Sequence, residues 1–328
     1  MEKFTMAQFK LYSQGDILSL INQRVGETKL GERVQTVAQL AELEFSTAKF
    51  VLLGIPEDIG VRANYGLGGA HTAWQPALKA LLNLQQNAYL NGADILVLGE
   101  FEIAENHSSD VDALRGSVSE IDALVFPIIQ AIVAAGKTPM VIGGGHNNCY
   151  PIIKGVSLAL QTPVDVLNID AHADLRNPNE GRHSGNGFST AIQNGFLDQY
   201  RILGLQKNYI TEAQQQFISQ TKAIKAFYFD DLLAYQQDLQ VSAEMLLNGT
   251  KQPLGLEIDL DSIGGVLASA GTPSGFSVNQ IRQLLLQLRK NFAYLHISEG
   301  VYQLSDGRKD ETIGKTIAYL VSDFVKSN

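Results

Sequence analysis

Short runs rich in Val, Ile and Leu recur along the chain. Each is followed by a longer stretch whose apolar residues fall at helical spacing. The runs at 50–55, 95–99, 139–143, 164–170, 201–205, 226–229, 254–261 and 293–298 read as strands. Their nearly unbroken hydrophobicity is what strands buried on both faces require, as in a parallel sheet. The stretches at 110–135, 212–221, 230–247, 278–289 and 312–326 read as helices. Alternation of this kind predicts an α/β protein with helices on both faces of a mostly parallel sheet of eight strands. No internal repeat and no long Pro/Gly/Ser linker divides the chain, so one domain is expected over 1–328. The more polar residues 1–48 are expected to be a helical extension packed on it. Gly-rich stretches at 63–77 and 177–189 are expected to be surface loops, each leading into a helix.

Composition narrows the class. The 328 residues are 45% hydrophobic, too apolar for a disordered chain. With 34 Asp and Glu against 25 Lys and Arg, the net charge is −9. That balance argues against nucleic acid or an anionic membrane as partner. One cysteine excludes an intrachain disulfide framework. No run is read as the roughly 20 apolar residues of a membrane span, and the first residues lack a signal-like apolar segment. A soluble, cytoplasmic protein is the expectation.

Ligands of such sheets bind beyond the carboxyl ends of the strands, and four ends carry unusual residues. The run at 139–143 leads into Gly143-Gly144-Gly145-His146-Asn147-Asn148. The glycines permit a sharp turn and a close ligand, but neither phosphate-binding glycine pattern is present. A structural turn with a capping His stays open. The run at 164–170 leads into Asp170-Ala171-His172-Ala173-Asp174, whose polar side chains share one face in extended backbone. Two carboxylates and an imidazole beside a buried strand are costly without a compensating positive charge. The run at 254–261 holds Glu257, Asp259 and Asp261 at the same spacing, where like charges repel unless a cation intervenes. A polar edge-strand face is the alternative. The last run ends in Glu299.

Together His146, Asp170, His172, Asp174, Asp259 and Asp261 supply six ligands, enough for two divalent ions. The set is oxygen-rich and hard, suiting Mn2+ better than Zn2+. Two such ions about 3.5–4 Å apart acidify a water, which points to hydrolysis. Cys149 reads as a small buried residue in the first turn of a helix, and Trp74 as core. His71, His107 and His296 show no partner pattern.

At these residues the chain resembles the ureohydrolases: arginase, agmatinase, guanidinobutyrase and formimidoylglutamase. The carriers are GGGH at 143–146, DAHAD at 170–174, DLD at 259–261 and SAGTPSGFS at 269–277. The likeness covers about four-fifths of the chain, from Gly68-Gly69-Ala70 to the helix at Thr312. It implies a three-layer α/β/α fold and two Mn2+ per chain. By match, His146 and Asp174 bind one ion, His172 and Asp261 the other, and Asp170 and Asp259 bridge. It also implies a small-molecule amidine or guanidine substrate and a homo-oligomer. Asp174, His183 and Glu299 are the expected catalytic residues, Glu299 pairing with the cationic amidine nitrogens.

Within the family the chain departs from arginase. Ser184-Gly185 stands where arginases and agmatinases have His-Gly, and resembles the Ser-Gly loop of formimidoylglutamases. His183, one position early, is the remaining acid or base. Arg176 resembles the Arg of formimidoylglutamases at this place and suits a substrate with two carboxylates. Arg182, Ser184 and Asn186 are the further candidate substrate contacts. Glu257 replaces a small hydroxyl residue, and Asn147 and Asn148 replace an acidic or Ser residue. The expected reaction turns formimidoylglutamate into glutamate and formamide. The alternatives are arginase, agmatinase or guanidinobutyrase activity, a metal-binding pseudoenzyme with a regulatory or structural role, or a one-zinc deacetylase on the related fold.

Overall fold

A computed structural model describes residues 7–104, 106–251 and 253–328. One nine-stranded sheet runs through them: β1 (Ala7–Leu11), β2 (Phe50–Gly54), β3 (Ile95–Ile103), β4 (Thr138–Ile142), β5 (Val164–Ile169), β6 (Leu197–Leu205), β7 (Ile224–Tyr228), β8 (Leu254–Asp259) and β9 (Phe292–Ser298). Their spatial order is β1-β3-β2-β4-β9-β8-β5-β6-β7. β2 to β9 are parallel, as the apolar runs predict, and β5 and β8 are buried along their whole length. β4, β9, β8 and β5 lie side by side at the centre. Their carboxyl ends therefore open onto one small region, which is what brings distant motifs together.

Two expectations change. Residues 7–48 are not chiefly helical: β1 adds a ninth strand, antiparallel to β3 at the sheet edge, with Ala7 opposite Ile103 and Leu11 opposite Gly99. Only Gln14–Ser19 is α-helical there, and the expected residues 1–6 lie outside the described residues. The stretch 230–247 is two helices, Phe229–Ala234 and Leu239–Leu247, interrupted where Gln236 takes a left-handed φ of +48°.

Helices cover both faces. On one side Trp74–Leu82 packs on Ile313–Ser327, and Val278–Leu288 packs on Ile313–Ser327 and Leu239–Leu247. On the other, Val111–Ala134 packs on Cys149–Leu160, which meets Gly187–Gln193. Val111–Ala134 is long and apolar enough to cross a membrane by length and composition, contrary to the reading of the sequence. Here its Leu114, Val118, Ile121, Val125, Ile129 and Ile132 are buried in the core beneath the sheet.

Trp74 is fully buried against the end of β2. A Cβ added at Gly54 would lie 2.3 Å from Trp74 Cδ2. Close-packed cores resist such insertion. Gly54→Ala is therefore expected to lower unfolding stability by about 1–3 kcal/mol, read from urea midpoints; unchanged stability would contradict this packing.

Candidate active site

The site is assembled from loops that follow the four central strands. After β4, Gly143 and Gly144 take φ values of +90° and +77°. At Gly144 a Cβ would come within 2.3 Å of Asn148 Nδ2 and 2.8 Å of the Ile55 carbonyl, so only glycine fits. This turn places His146 at the start of a single 3-10 turn that runs into Cys149–Leu160. Cys149 is buried in the first turn of that helix, as expected.

The loop hangs on Glu57, a residue the sequence reading did not single out. Its carboxylate is buried; Oε1 accepts from Gly145 N at 2.9 Å, Asn148 Nδ2 at 2.6 Å and Asn147 Nδ2 at 3.2 Å. Oε2 accepts from Gly60 N at 3.1 Å. Burial pushes the Glu57 carboxyl up, and these donors oppose the shift. The two asparagines after His146 thus serve as donors to a buried acid.

After β5 the backbone does not stay extended. The strand ends at Ile169, and Asp174 sits at φ +49°, so a turn rather than strand alternation gathers Asp170, His172 and Asp174. Non-glycine residues held in this region concentrate at functional sites. Asp170 is fixed at both oxygens, Oδ1 accepting from His172 N at 2.7 Å and Oδ2 from Asn168 Nδ2 at 2.9 Å. After β8, Asp259 Oδ1 accepts from Asp261 N at 2.9 Å, closing another 3-10 turn. Asp261 thereby leaves the strand face shared by Glu257 and Asp259.

Four carboxylates and two imidazole nitrogens converge. His146 Nδ1 lies 3.0 Å from Asp259 Oδ2, 3.1 Å from Asp174 Oδ2 and 3.2 Å from Asp170 Oδ2. Yet among the described residues it makes no hydrogen bond, although it is buried. Ligands bonded at about 2.1 Å to one octahedral ion stand about 3 Å apart. The spacing is therefore that of donors around a cation. His172 Nδ1 lies 3.0 Å from Asp261 Oδ2 and 3.8 Å from Asp170 Oδ1, and Asp261 Oδ1 is buried without a hydrogen-bond partner among the described residues. Two candidate ion sites result, one from His146, Asp170, Asp174 and Asp259, the other from Asp170, His172 and Asp261. Asp170 belongs to both; Asp259 belongs to the first alone.

The charges report crowding. Burial pushes the Asp259 carboxyl well up, with Asp261 and Asp170 adding to the shift. Burial also raises Asp174, and then Asp170 does so. Asp261 is pushed up to about 6, chiefly by burial. His172 is driven to about 11: burial disfavours its charge, but Asp261, Asp170 and Asp174 outweigh it. These residues fit divalent cations, and they are strained in charge without one.

Glu299 closes the floor. It takes φ +63°, and its Oε1 accepts from His146 N at 2.7 Å while Oε2 accepts from Ser269 Oγ. Burial, then Asp259, pushes it up to about 8. A cleft of about 530 Å³ opens above these groups, lined by His172, Asp174, Asp259, Asp261, Glu299 and, at the rim, Arg176 and Ser184. Arg176 is exposed and, among the described residues, makes no ion pair. Ser184 Oγ accepts from Asn64 Nδ2 at 3.3 Å.

Three expected contacts face elsewhere. Arg182 is buried, with Nε donating to Asp122 Oδ2 at 2.8 Å, Nη1 to Asn186 Oδ1 at 2.6 Å and Nη2 to the Asn147 carbonyl at 2.9 Å. It ties the loop to Val111–Ala134 and to the His146 turn, and is no carboxylate clamp. Asn186 also donates to the Gly181 carbonyl at 2.6 Å, so its amide is consumed within the loop. His183 is fully buried: Nδ1 accepts from Gly185 N at 3.1 Å, which leaves Nε2 to donate to Glu180 Oε1 at 3.0 Å. It does not line the cleft. Of the histidines left unassigned, His71 lies 2.8 Å from Asp58, and His296 is buried beside Glu257. Glu257 lies one level below the carboxylate cluster.

An α/β protein with two candidate cation sites at the carboxyl ends of its central strands is thus defined. Residues 48–313 match the model of the arginase family, and the chain belongs to that family. A formimidoylglutamase of Hahella chejuensis is 32% identical over 225 residues, 65% of this chain and 62% of the relative. One of a Geobacillus species is 30% identical over 188 residues, 57% and 52% of the two chains. The chain thus matches between half and two thirds of these relatives' length. Among solved structures, a Trypanosoma cruzi formiminoglutamase with Mn2+ superposes at a TM-score of 0.72 and 18% identity, covering 92% of this chain and 98% of that one. The Bacillus subtilis formimidoylglutamase gives 0.73 at 16% identity, covering 93% of each.

Two outcomes follow from this geometry. Removing one partner of a buried ion pair strands the other, so Arg182→Leu should cost about 3–5 kcal/mol. Arg176→Ala, at the rim, should leave the thermal midpoint unchanged; equal losses would refute the division of roles. For His183, burial lowers the ring from 6.5 to about 4, with Glu180 opposing. The unfolded chain then binds the proton first, so this contribution is complete above pH 6.5 and lost as pH falls toward 4. His183→Gln should flatten the stability loss between pH 7 and 4.5, measured by urea unfolding, and an unchanged slope would count against it.

Proposed function

We propose that the chain is a binuclear manganese hydrolase of linear amidines, with formimidoylglutamate as substrate. The observation that carries this reading is the bare His146 Nδ1 facing three aspartate oxygens at 3.0–3.2 Å. His146, Asp170, Asp174 and Asp259 would hold one ion, and His172, Asp261 and Asp170 the other. Manganese is favoured by the hard donor set of four carboxylates and two imidazoles. The Mn2+ in the Trypanosoma relative supports it. Two such ions supply the Lewis acidity that makes water a nucleophile at neutral pH.

The chain's own groups would do the rest. Glu299 has one oxygen bound by His146 N–H and the other by Ser269. Each oxygen keeps a further lone pair, enough together for two N–H groups of a planar amidinium. A cation beside it restores the charge that burial and Asp259 disfavour. Water oxygen bonds to the amidine carbon, and the bond from that carbon to the glutamate nitrogen breaks. Both protons of that water pass to this nitrogen, which leaves as the ammonium of glutamate, while the carbon keeps the oxygen as formamide. Asp174 lines the cleft and would carry these protons. At the rim Arg176 would bind carboxylate, assisted by Ser184 and Asn64. Arg182, Asn186 and His183 position the loop.

The test is a panel of formimidoylglutamate, arginine, agmatine and guanidinobutyrate with Mn2+-loaded protein. Formamide from the first and no urea from the others is expected; urea release would move the reading to another ureohydrolase activity. No turnover of any, with a stable protein partner, would favour a pseudoenzyme. Arg176→Ala should raise KM about 10–100-fold with little change in kcat, the loss of a charge-assisted contact made before and during reaction. Asp170→Asn should weaken both bound ions and Asp259→Asn the ion of His146, each with loss of turnover; unchanged manganese and turnover would overturn the site.

A further inference from the structure

Behind His146 lies a second buried cluster that the reaction above does not use. Glu257 on β8 and Tyr294 and His296 on β9 are fully buried. Tyr294 Oη donates to Glu257 Oε1 at 2.7 Å, and His296 Nδ1 lies 2.6 Å from Oε2. His146 Nε2 faces the same Oε2 at 3.4 Å. His146, Glu257 and His296 are close enough together to be weighed as a further ion site. The 2.6 Å separation decides against that. It is a hydrogen bond, shorter than the roughly 3 Å between neighbouring donors around one ion.

A ring that gives its Nδ1 lone pair to an ion must carry its hydrogen on Nε2. A buried N–H without an acceptor is destabilising. Among the described residues, His146 Nε2 is buried and makes no hydrogen bond, and the acceptor in front of it is Glu257. Metal-bound histidines characteristically donate their outer N–H to such a carboxylate, which sets the tautomer and the ring orientation.

We infer that Glu257 is a positioning residue for the ion site of His146, accepting its outer N–H and aiming Nδ1 at Asp170, Asp174 and Asp259, while Tyr294 and His296 hold the carboxylate in place. The inference rests on the metal reading proposed above. It assigns Glu257 to one ion only, because no contact joins it to His172 or Asp261 among the described residues.

The experiment titrates metal-stripped full-length protein with Mn2+ by calorimetry, with bound Mn2+ counted by electron paramagnetic resonance. The unmodified protein should bind two ions. Glu257→Leu should weaken one of them about 10–100-fold and leave the other unchanged. Glu257→Gln, which keeps an acceptor oxygen, should restore most of the loss. If Glu257→Leu does not fold, Tyr294→Phe loosens the same carboxylate and should weaken the same single ion by a smaller factor. Equal weakening of both ions, or of neither, in a protein that otherwise binds two overturns the inference alone. Failure of the unmodified protein to bind Mn2+ overturns the proposed function and this inference with it.

Discussion

Three buried aspartates and a fourth that is partly buried, held within reach of one another, are the constraint on which this molecule depends. Two unit charges 4 Å apart repel by about 4 kcal/mol at an effective dielectric of 20, and Asp170, Asp174, Asp259 and Asp261 are gathered around two imidazoles. Two of these carboxyl groups are held in place. Asp170 is bonded at both oxygens, and Asp259 caps its own turn. β5 and β8, which deliver them, are hydrogen-bonded neighbours buried throughout. With Asp170 and Asp259 held, protons or cations relieve the repulsion. The raised carboxyl groups of Asp174, Asp259 and Asp261 are the proton answer, and the unbonded His146 Nδ1 marks the place of the other.

Other acids in the chain serve a different end. Glu57 gathers four N–H donors and fixes the glycine turn that carries His146. Asp122 holds Arg182, which in turn holds Asn186 and the Asn147 carbonyl, so the loop after β5 and the loop after β4 are joined through one guanidinium. Glu299 bonds the backbone of His146 directly. The net charge of −9 therefore includes buried struts as well as ion-facing groups. These struts supply the preorganisation that a site of this kind needs, since ligands left free to relax would lose the geometry.

How much of this was legible in the sequence follows from burial. The central parallel strands are continuous apolar runs because both of their faces are covered, whereas β7 at the edge is only partly buried. β1 escaped because it is a five-residue edge strand whose burial alternates, with Gln8 and Lys10 beside Glu102. The split at Gln236 had no Gly or Pro to announce it. The strand-end carboxylates stood out against apolar sequence, whereas Arg182 in a Gly-rich loop resembled a rim residue. Its partner lies 60 positions away, but Asp122 falls on the apolar face formed by Val118, Ile121 and Val125. An acid on such a face needs a buried cation, and that was the available signal. Glu57 had a weaker one: it too follows the carboxyl end of a buried strand.

The charge pattern of the cleft bears on substrate choice. On the proposed reading its floor is acidic and receives a cationic head, while Arg176 at the rim is cationic and exposed. A ligand with a cationic head and an anionic tail is oriented by both ends. A terminal ammonium, as agmatine carries, would instead meet a like charge at the rim, and repulsion of that kind is an effective source of discrimination. Glu299 cannot make the same distinction. Its two available lone pairs accept two N–H groups from amidine and guanidine alike, and it is already anchored by His146 and Ser269. On that reading the choice of tail would fall to Arg176 and its polar neighbours, which stand outside the candidate ion sites.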